Sequence, residues 1–332
     1  MVVRFSSIGD IVLTTPVVRC LHRQLGAEVH FLTKASFAAV VRHNPFLHRV
    51  WTIDKELSEV AGELRDVGFD YLVDLHGNLR TLHLKSLLLS PFAPHPRPRI
   101  FTFDKLNGRK FLLTKLKIDR MPDVHIVDRY LATVGALGVT NDGAGLDYFI
   151  HPDEEVDLAA AGLPPRYLAF VIGAAHATKR LETNQLRAIC KGLDFPVLLL
   201  GGPAEAGQGA ALATGLAHVH NACGRFSLGG SASLVRQATA VLSHDTGLMH
   251  VAAAFRKPIL SVWGNTTPSL GMYPYLPGRE EQERQRRQEV PDLACRPCDK
   301  IGYGSCPKGH FRCIRDQDPA DILAKVRELL PA

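Results

Sequence analysis

Short apolar runs alternate with helical patterns along almost the whole chain, and they do so twice. Residues 2–5, 28–33, 50–53 and 71–74 are runs of strand length, and 15–25, 37–42 and 58–68 between them carry helical spacing. Strand, helix, strand at this interval dictates a parallel sheet with crossover helices. The pattern loosens over residues 90–123, where proline clusters in "SPFAPHPRPR", and pauses again at "GAGLDYFIHPDEEVDLAAAGLPPR". It then restarts, with strands at 167–172, 196–200, 241–243 and 258–263 and helices at 183–192, 204–215, 231–238 and 247–255. Near the end, Asp318 followed by Pro319 marks a helix start. The expectation is an α/β chain of two Rossmann-like domains, 1–157 and 158–332, facing each other across a cleft. Ligands of such sheets bind outside the carboxyl ends of the strands.

Bulk properties narrow the partners. A chain of 332 residues, 46% hydrophobic and 22% charged, can bury two ordinary cores. No apolar run reaches the roughly 18 residues that span a bilayer, and a strand pattern starts at Val2 without a leader, which predicts a cytoplasmic protein. The formal charge of +6 suits an acidic partner: a nucleotide, a phosphorylated glycolipid or an anionic membrane surface. Nucleic acid is not expected, since no recognition motif is present and aromatics make up only 7% of the chain.

Four stretches carry chemistry. In "RFSSIGDIVLTTP", Gly9 permits a tight turn and Asp10 stands just before a helix, as a cap or as a base. In "FVIGAAHATKRLETNQL" a buried strand ends at Gly173, and a loop of small residues leads to Thr178, Lys179 and Arg180. A hydroxyl and two cations there suit a phosphate, and the alternative is a solvated basic turn. In "LSHDTGLMHVAAAFRKPILSVWGNTTPSLGMYP", Asp245, Thr246 and Gly247 open a helix that bears His250, so free N–H groups at that helix start suit an anion. In "CRPCDKIGYGSCPKGHFRC", Cys295 and Cys298 have metal-ligand spacing, and Cys306 and Cys313 follow with His310 between them. A structural zinc site and packed free thiols both fit.

Three further stretches are less specific. "VDLHGNLRT" ends a strand with His76, Asn78 and Arg80. "FDKLNGRKFLLTKLKIDR" is basic with apolar spacing and suits a membrane or an acidic acceptor, or is a solvated face. "LLLGGPAEAGQG" lacks the spacing of a dinucleotide fingerprint.

Taken in order, "RFSSIGDIVLTTPVVRCL", "VDLHGNLRT", "HATKR" and "SHDTGLMHVAAAFRKPILSVWGNTTP", with the C-x-x-C near the end, resemble the ADP-heptose:lipopolysaccharide heptosyltransferases, glycosyltransferase family 9. The resemblance implies a GT-B fold with an acceptor-binding N-terminal domain and a sugar-nucleotide-binding C-terminal domain. It also implies inverting transfer from ADP-heptose to an inner-core or related acidic glycolipid, with no cofactor and no catalytic metal, in the cytoplasm or peripherally at the inner membrane. By the same resemblance Asp10 is the general base, with Ser7, Gly9, His76, Asn78 and Arg80 on the acceptor side. Lys179 contacts the donor phosphates, and Asp245, Thr246, Gly247 and His250 surround the diphosphate and sugar. Glu205 holds the ribose and Phe226 lies near the adenine. Two other activities share these features: a GT-B-type sugar-nucleotide epimerase, and a sugar-nucleotide-binding protein without transferase activity.

Overall fold

The computed structural model describes residues 1–90 and 95–331. The chain divides into two compact units, Met1–Lys105 with Val124–Phe149, and Leu106–Asp123 with Ile150–Ala332. The sequence reading drew one boundary, at 157/158. The structural division instead falls after Phe149 and assigns the basic segment Leu106–Asp123 to the second unit.

In the first unit, β1 (Val2–Val3), β2 (His30–Lys34), β3 (Arg49–Ile53), β4 (Tyr71–Asp74) and β5 (Arg99–Thr102) form a parallel sheet in the order β3-β2-β1-β4-β5. Val3 pairs with Leu32 on one side and Asp74 on the other. A central strand covered on both faces must be apolar throughout, and Val2 and Val3 are both buried. Phe5, Leu32, Trp51, Leu64, Leu72 and Leu84 build the core on one side of this sheet.

In the second unit, β6 (Leu168–Val171), β7 (Val197–Leu200), β8 (Val219–Asn221), β9 (Ala240–His244), β10 (Ile259–Trp263) and β11 (Gln285–Glu289) run parallel in the order β11-β10-β9-β6-β7-β8. This is the doubly wound order of a Rossmann sheet. Phe170, Leu186, Leu199, Leu242, Leu260 and Ile322 belong to its core. The final helix, Pro319–Arg327, starts where the sequence predicts, with the Asp318 Oδ1 accepting from the Ala320 N–H at 2.8 Å.

Each sheet has one place where strand order reverses, between β1 and β4 in the first unit and between β6 and β9 in the second. In sheets of this class the loops leaving such a pair of strands diverge and leave a crevice where ligands bind. Here they are the loops that carry the charged motifs.

Candidate active site

In the first unit, β1 ends at Val3 and the chain turns through Arg4–Ser7 into a five-residue helix, Ile8–Val12. Ser7 is the N-cap, so Asp10 is the third helical residue and not the residue before the helix. Its Oδ2 accepts from the Ser7 N–H at 3.2 Å and the Ser7 hydroxyl at 3.0 Å, the reach-back contact of a capping box. Its Oδ1 pairs with Arg4 Nη2 at 2.6 Å. A carboxylate offers about four acceptor positions, and these three donors leave one. Burial pushes the Asp10 carboxyl up, but the Arg4 guanidinium and the two Ser7 donors outweigh it and hold the group below its ordinary value. Capping and proton acceptance are therefore compatible on this side chain.

The loop after β4 lies beside this turn, because β1 and β4 are paired. Arg4 joins the two: Nη1 donates to the Leu75 carbonyl at 2.6 Å and Nε to the Ser6 carbonyl at 2.8 Å. The His76 ring meets the Phe5 ring edge-on at 5.4 Å, and the Arg80 guanidinium lies 5.2 Å from the centre of the Phe5 ring. Burial, then the charges of Arg4 and Lys105, drive the His76 pKa down to about 4, so it is neutral near pH 7. Its Nδ1 is buried without a hydrogen-bond partner among the described residues. Asn78 is committed locally: it caps the helix Leu79–Leu88, its Oδ1 accepting from the Thr81 N–H at 3.0 Å. Asp74, fully buried, accepts from the N–H groups of His76 and Gly77 and pairs with Lys85 at 2.6 Å, which fixes the turn.

In the second unit, the loops after β6 and β9 converge on an ion pair. Lys179 Nζ lies 2.6 Å from Asp245 Oδ2, and the Thr266 hydroxyl, from the loop after β10, donates to that same oxygen at 2.9 Å. Thr246 is the N-cap of the helix Gly247–Ala254, so the first N–H groups of that helix lie next to the pair. Arg180 Nη1 is 3.8 Å from Glu205 Oε1, which places the loop after β7 against the same group. The Glu205 Oε2 accepts from the Gly202 N–H at 2.8 Å, and a Cβ at Gly201 would sit 2.8 Å from the Glu205 Cβ, so glycine is required there for the approach. Phe226 follows β8, half-buried, with the Arg225 guanidinium 5.4 Å from its ring centre. His250 is buried on its helix.

The Thr178 side chain faces inward. It is buried, its Oγ1 lies 2.9 Å from Asn265 Oδ1, and it accepts from the Tyr303 N–H at 2.9 Å. Thr178 ties the loop after β6 to the loop after β10, and a Cβ at Gly264 would lie 2.1 Å from the Thr178 carbonyl oxygen. The polar loop that carries Asn265 and Thr266 is visible in the sequence at the end of an apolar run, without a role for either residue; Arg4 and Tyr303 are not singled out by it. An arginine one residue beyond a strand and six before an acid was the available signal for Arg4.

Tyr303 belongs to the cysteine segment, which braces the loops after β6 and β10. The Cys298 N–H donates to the Asn265 carbonyl at 3.2 Å, and Arg296 donates to the Gly264 and Thr266 carbonyls at 2.7 and 2.8 Å. Cys295 Sγ lies 3.7 Å from His310 Nε2. Burial, reinforced by the other three thiols, pushes Cys313 up to about 12. Among the described residues, the set of three or more potential ligands with atoms all within 4.8 Å of one another is Glu28, His30 and His48, and no three cysteines form one. His30 in that set already accepts from the Trp51 indole N–H at 2.9 Å through Nδ1.

The basic segment forms a helix, Asn107–Phe111, that continues into a wider turn, Leu112–Leu116. Phe111, Leu116 and Ile118 are exposed (57%, 55% and 46%), with Arg109 and Lys115 exposed beside them. Lys117 instead donates to the carbonyls of Thr114, Cys295 and Pro297 at 2.8, 2.9 and 2.6 Å. Among the described residues, no helix is long and apolar enough to cross a membrane.

The profile of glycosyltransferase family 9 (heptosyltransferase) matches residues 58–294. Lipopolysaccharide heptosyltransferase 1 of Pseudomonas aeruginosa is 26% identical over 322 residues, covering 90% of this chain and 85% of that protein. A glycosyl transferase family 9 structure from Veillonella parvula superposes with a TM-score of 0.77 at 20% identity, covering 99% and 96% of the two chains. The E. coli ADP-heptose lps heptosyltransferase II superposes with a TM-score of 0.71 at 18% identity, covering 99% and 97%. The fold is that of the GT-B heptosyltransferases.

Proposed function

Because the chain belongs to glycosyltransferase family 9, the heptosyltransferases, we propose that this glycosyltransferase moves a heptose from ADP-heptose to an inner-core lipopolysaccharide or related acidic glycan, with inversion and without a catalytic metal. The first unit takes the acceptor and the second the nucleotide sugar. The observation that carries this reading is the Lys179–Asp245–Thr266 cluster, set where strand order reverses and beside a helix N-terminus. That is where a Rossmann sheet holds a diphosphate. The names of the P. aeruginosa and E. coli relatives support the sugar, the nucleotide and the acceptor class.

In the reaction, an acceptor hydroxyl gives its proton to Asp10 as its oxygen bonds to the anomeric carbon. The bond from that carbon to the diphosphate breaks on the opposite face, and the electron pair leaves with ADP. Lys179, Arg180 and the N–H groups at the start of Gly247–Ala254 balance the charge that develops on the diphosphate. Glu205 is assigned to the ribose, Phe226 to the adenine, and Thr178 to holding Lys179 in place. His76 and Arg80 are assigned to the acceptor. The cysteine segment is a brace for the donor loops, and no step passes through a metal bound there. The exposed Phe111, Leu116 and Ile118 beside Arg109 and Lys115 support peripheral contact with an anionic membrane, and this reading takes the cytoplasmic face of that membrane as the site of transfer.

The test is transfer itself. Incubation with ADP-heptose and a heptose-deficient lipopolysaccharide acceptor should release ADP and add one heptose to the acceptor. Consumption of ADP-heptose at an equal rate without acceptor would favour the epimerase reading. Binding of the donor with no turnover under any acceptor would favour a binding protein.

A further inference from the structure

We propose that Arg4 is a positioning residue for the transfer reaction, acting on the Asp10 carboxylate and not on either substrate. The inference rests on the reading of Asp10 as the base. Arg4 lies outside the helix that carries Asp10, yet its guanidinium is fixed in three directions: Nε on the Ser6 carbonyl, Nη1 on the Leu75 carbonyl, and Nη2 on Asp10 Oδ1 at 2.6 Å. The first two contacts anchor the fork to both loops of the crevice, so the third orients the carboxylate with respect to the β4 loop. Ser7 holds the other oxygen. With one oxygen clamped from each side, the free acceptor position of Asp10 has a fixed direction, which is what a base must present to an incoming hydroxyl.

The charge of Arg4 has a second consequence. Asp10 is faced by Arg4 from the end of β1, by neutral His76 from the loop after β4, and by Tyr130 from the helix Ile126–Val134. Burial pushes the Tyr130 phenol up, so it stays protonated. Arg4 is thus the one cation among these three, and Asp10 is held an anion below the ordinary carboxylate range. Such a base does not strip the hydroxyl in advance. It takes the proton as the sugar arrives, and the partnered guanidinium then drives the proton on to solvent, which restores the anion for the next turnover.

The experiment compares pH profiles of turnover for the wild type, Arg4→Lys, Arg4→Met, Asp10→Asn and Arg4→Met combined with Asp10→Asn, with ADP affinity measured on each preparation. Wild-type turnover should stay level as pH falls from neutral through the ordinary carboxylate range. Arg4→Met should lower turnover by about 10²-fold and move the acid limb upward by about 1–3 pH units, with ADP affinity unchanged. Arg4→Lys keeps the charge and loses the fork, so it should show intermediate turnover and an acid limb close to wild type. The double variant should be no slower than Asp10→Asn alone, because both changes remove one device. An unmoved acid limb in Arg4→Met, or losses that multiply in the double variant, would overturn the proposal. If Arg4→Met does not fold, Arg4→Gln carries the same comparison, judged by the same limb. Normal turnover in Asp10→Asn would bring down the base reading itself, whereas an inactive Asp10→Asn with an unmoved Arg4→Met profile would remove only the role of Arg4.

Discussion

Replacing Lys179 by Met isolates the phosphate assignment. Lys179 is largely buried, with 14% of its side chain exposed, and its ammonium is shared between Asp245 and the proposed diphosphate. Two effects follow from the geometry. A charge-assisted hydrogen bond to the phosphate is lost, worth about 1.5–3 kcal/mol. Asp245 also loses its 2.6 Å partner and keeps the Thr266 hydroxyl at 2.9 Å. Its uncovered charge then repels a phosphate about 7 Å away by ~2 kcal/mol at an effective dielectric constant of about 20. Together, about 3.5–5 kcal/mol, these weaken ADP by roughly 300- to 4,000-fold. Calorimetric titration with adenosine, AMP and ADP, run beside thermal melts, separates the contributions. Adenosine affinity should be unchanged, and the loss should grow with phosphate number. Adding Asp245→Asn to Lys179→Met should recover roughly tenfold or more of ADP affinity, since it removes the repulsion. Equal weakening of adenosine and ADP would refute the phosphate role, and no recovery in the double variant would refute the electrostatic account of the pair.

Asp10→Asn keeps the shape of the cap and removes the base. Turnover should fall by about 10²–10⁴-fold with donor affinity unchanged, and near-normal turnover would return Asp10 to capping alone. EDTA should leave the initial rate of transfer unchanged, with no requirement for added magnesium. A rate that collapses at constant melting temperature and returns with magnesium or manganese would overturn the metal-free reading. Arg19 is buried and bonds Asp142 through Nε and Nη2 at 2.8 Å, the Gly145 carbonyl at 2.8 Å, and Asp147. Arg19→Met strands both carboxylates and should cost about 3–5 kcal/mol in denaturant unfolding of the first unit. Asp142 is held at about 2, chiefly by the Arg19 hydrogen bond, so the stability it contributes is complete above its ordinary value of 3.8 and drains away as pH falls toward 2. Arg19→Met should lose that acid sensitivity, as pH-dependent melting would show.

The parts of this molecule that were legible in the sequence are those where one residue type has one physical use. Buried central strands such as β6 and β9 need apolar runs, and Asp318-Pro319 has few uses besides starting a helix. The edge strand β11, Gln285–Glu289, was missed because it pairs only with β10 and its polar side chains are mostly not buried. β5 was missed for a related reason, following the proline cluster with side chains only partly buried. For the site, the charged residues at strand ends were legible, since the chain has little reason to place Lys179 and Asp245 there without a partner. Their pairing was not, because it joins loops 66 residues apart. Thr178 shows the limit most clearly. A threonine in a basic loop suits a phosphate by type, and only its burial against Asn265 and Tyr303 shows that the hydroxyl is already engaged.

The split composition of the first unit bears on the order of events during synthesis. All five strands of its sheet have been made once Thr102 is added, yet the acids that neutralise Arg19 are Asp142 and Asp147. Some 40 further residues, including a segment that belongs to the other unit, must be translated first, which takes roughly 2–8 s at about 5–20 residues per second. For that interval the helix Thr15–Leu25 carries Arg19 without the two carboxylates that pair with it in the folded unit. That helix can seat itself fully only when the chain returns from the inserted segment, so the first unit is finished late although most of it is made early.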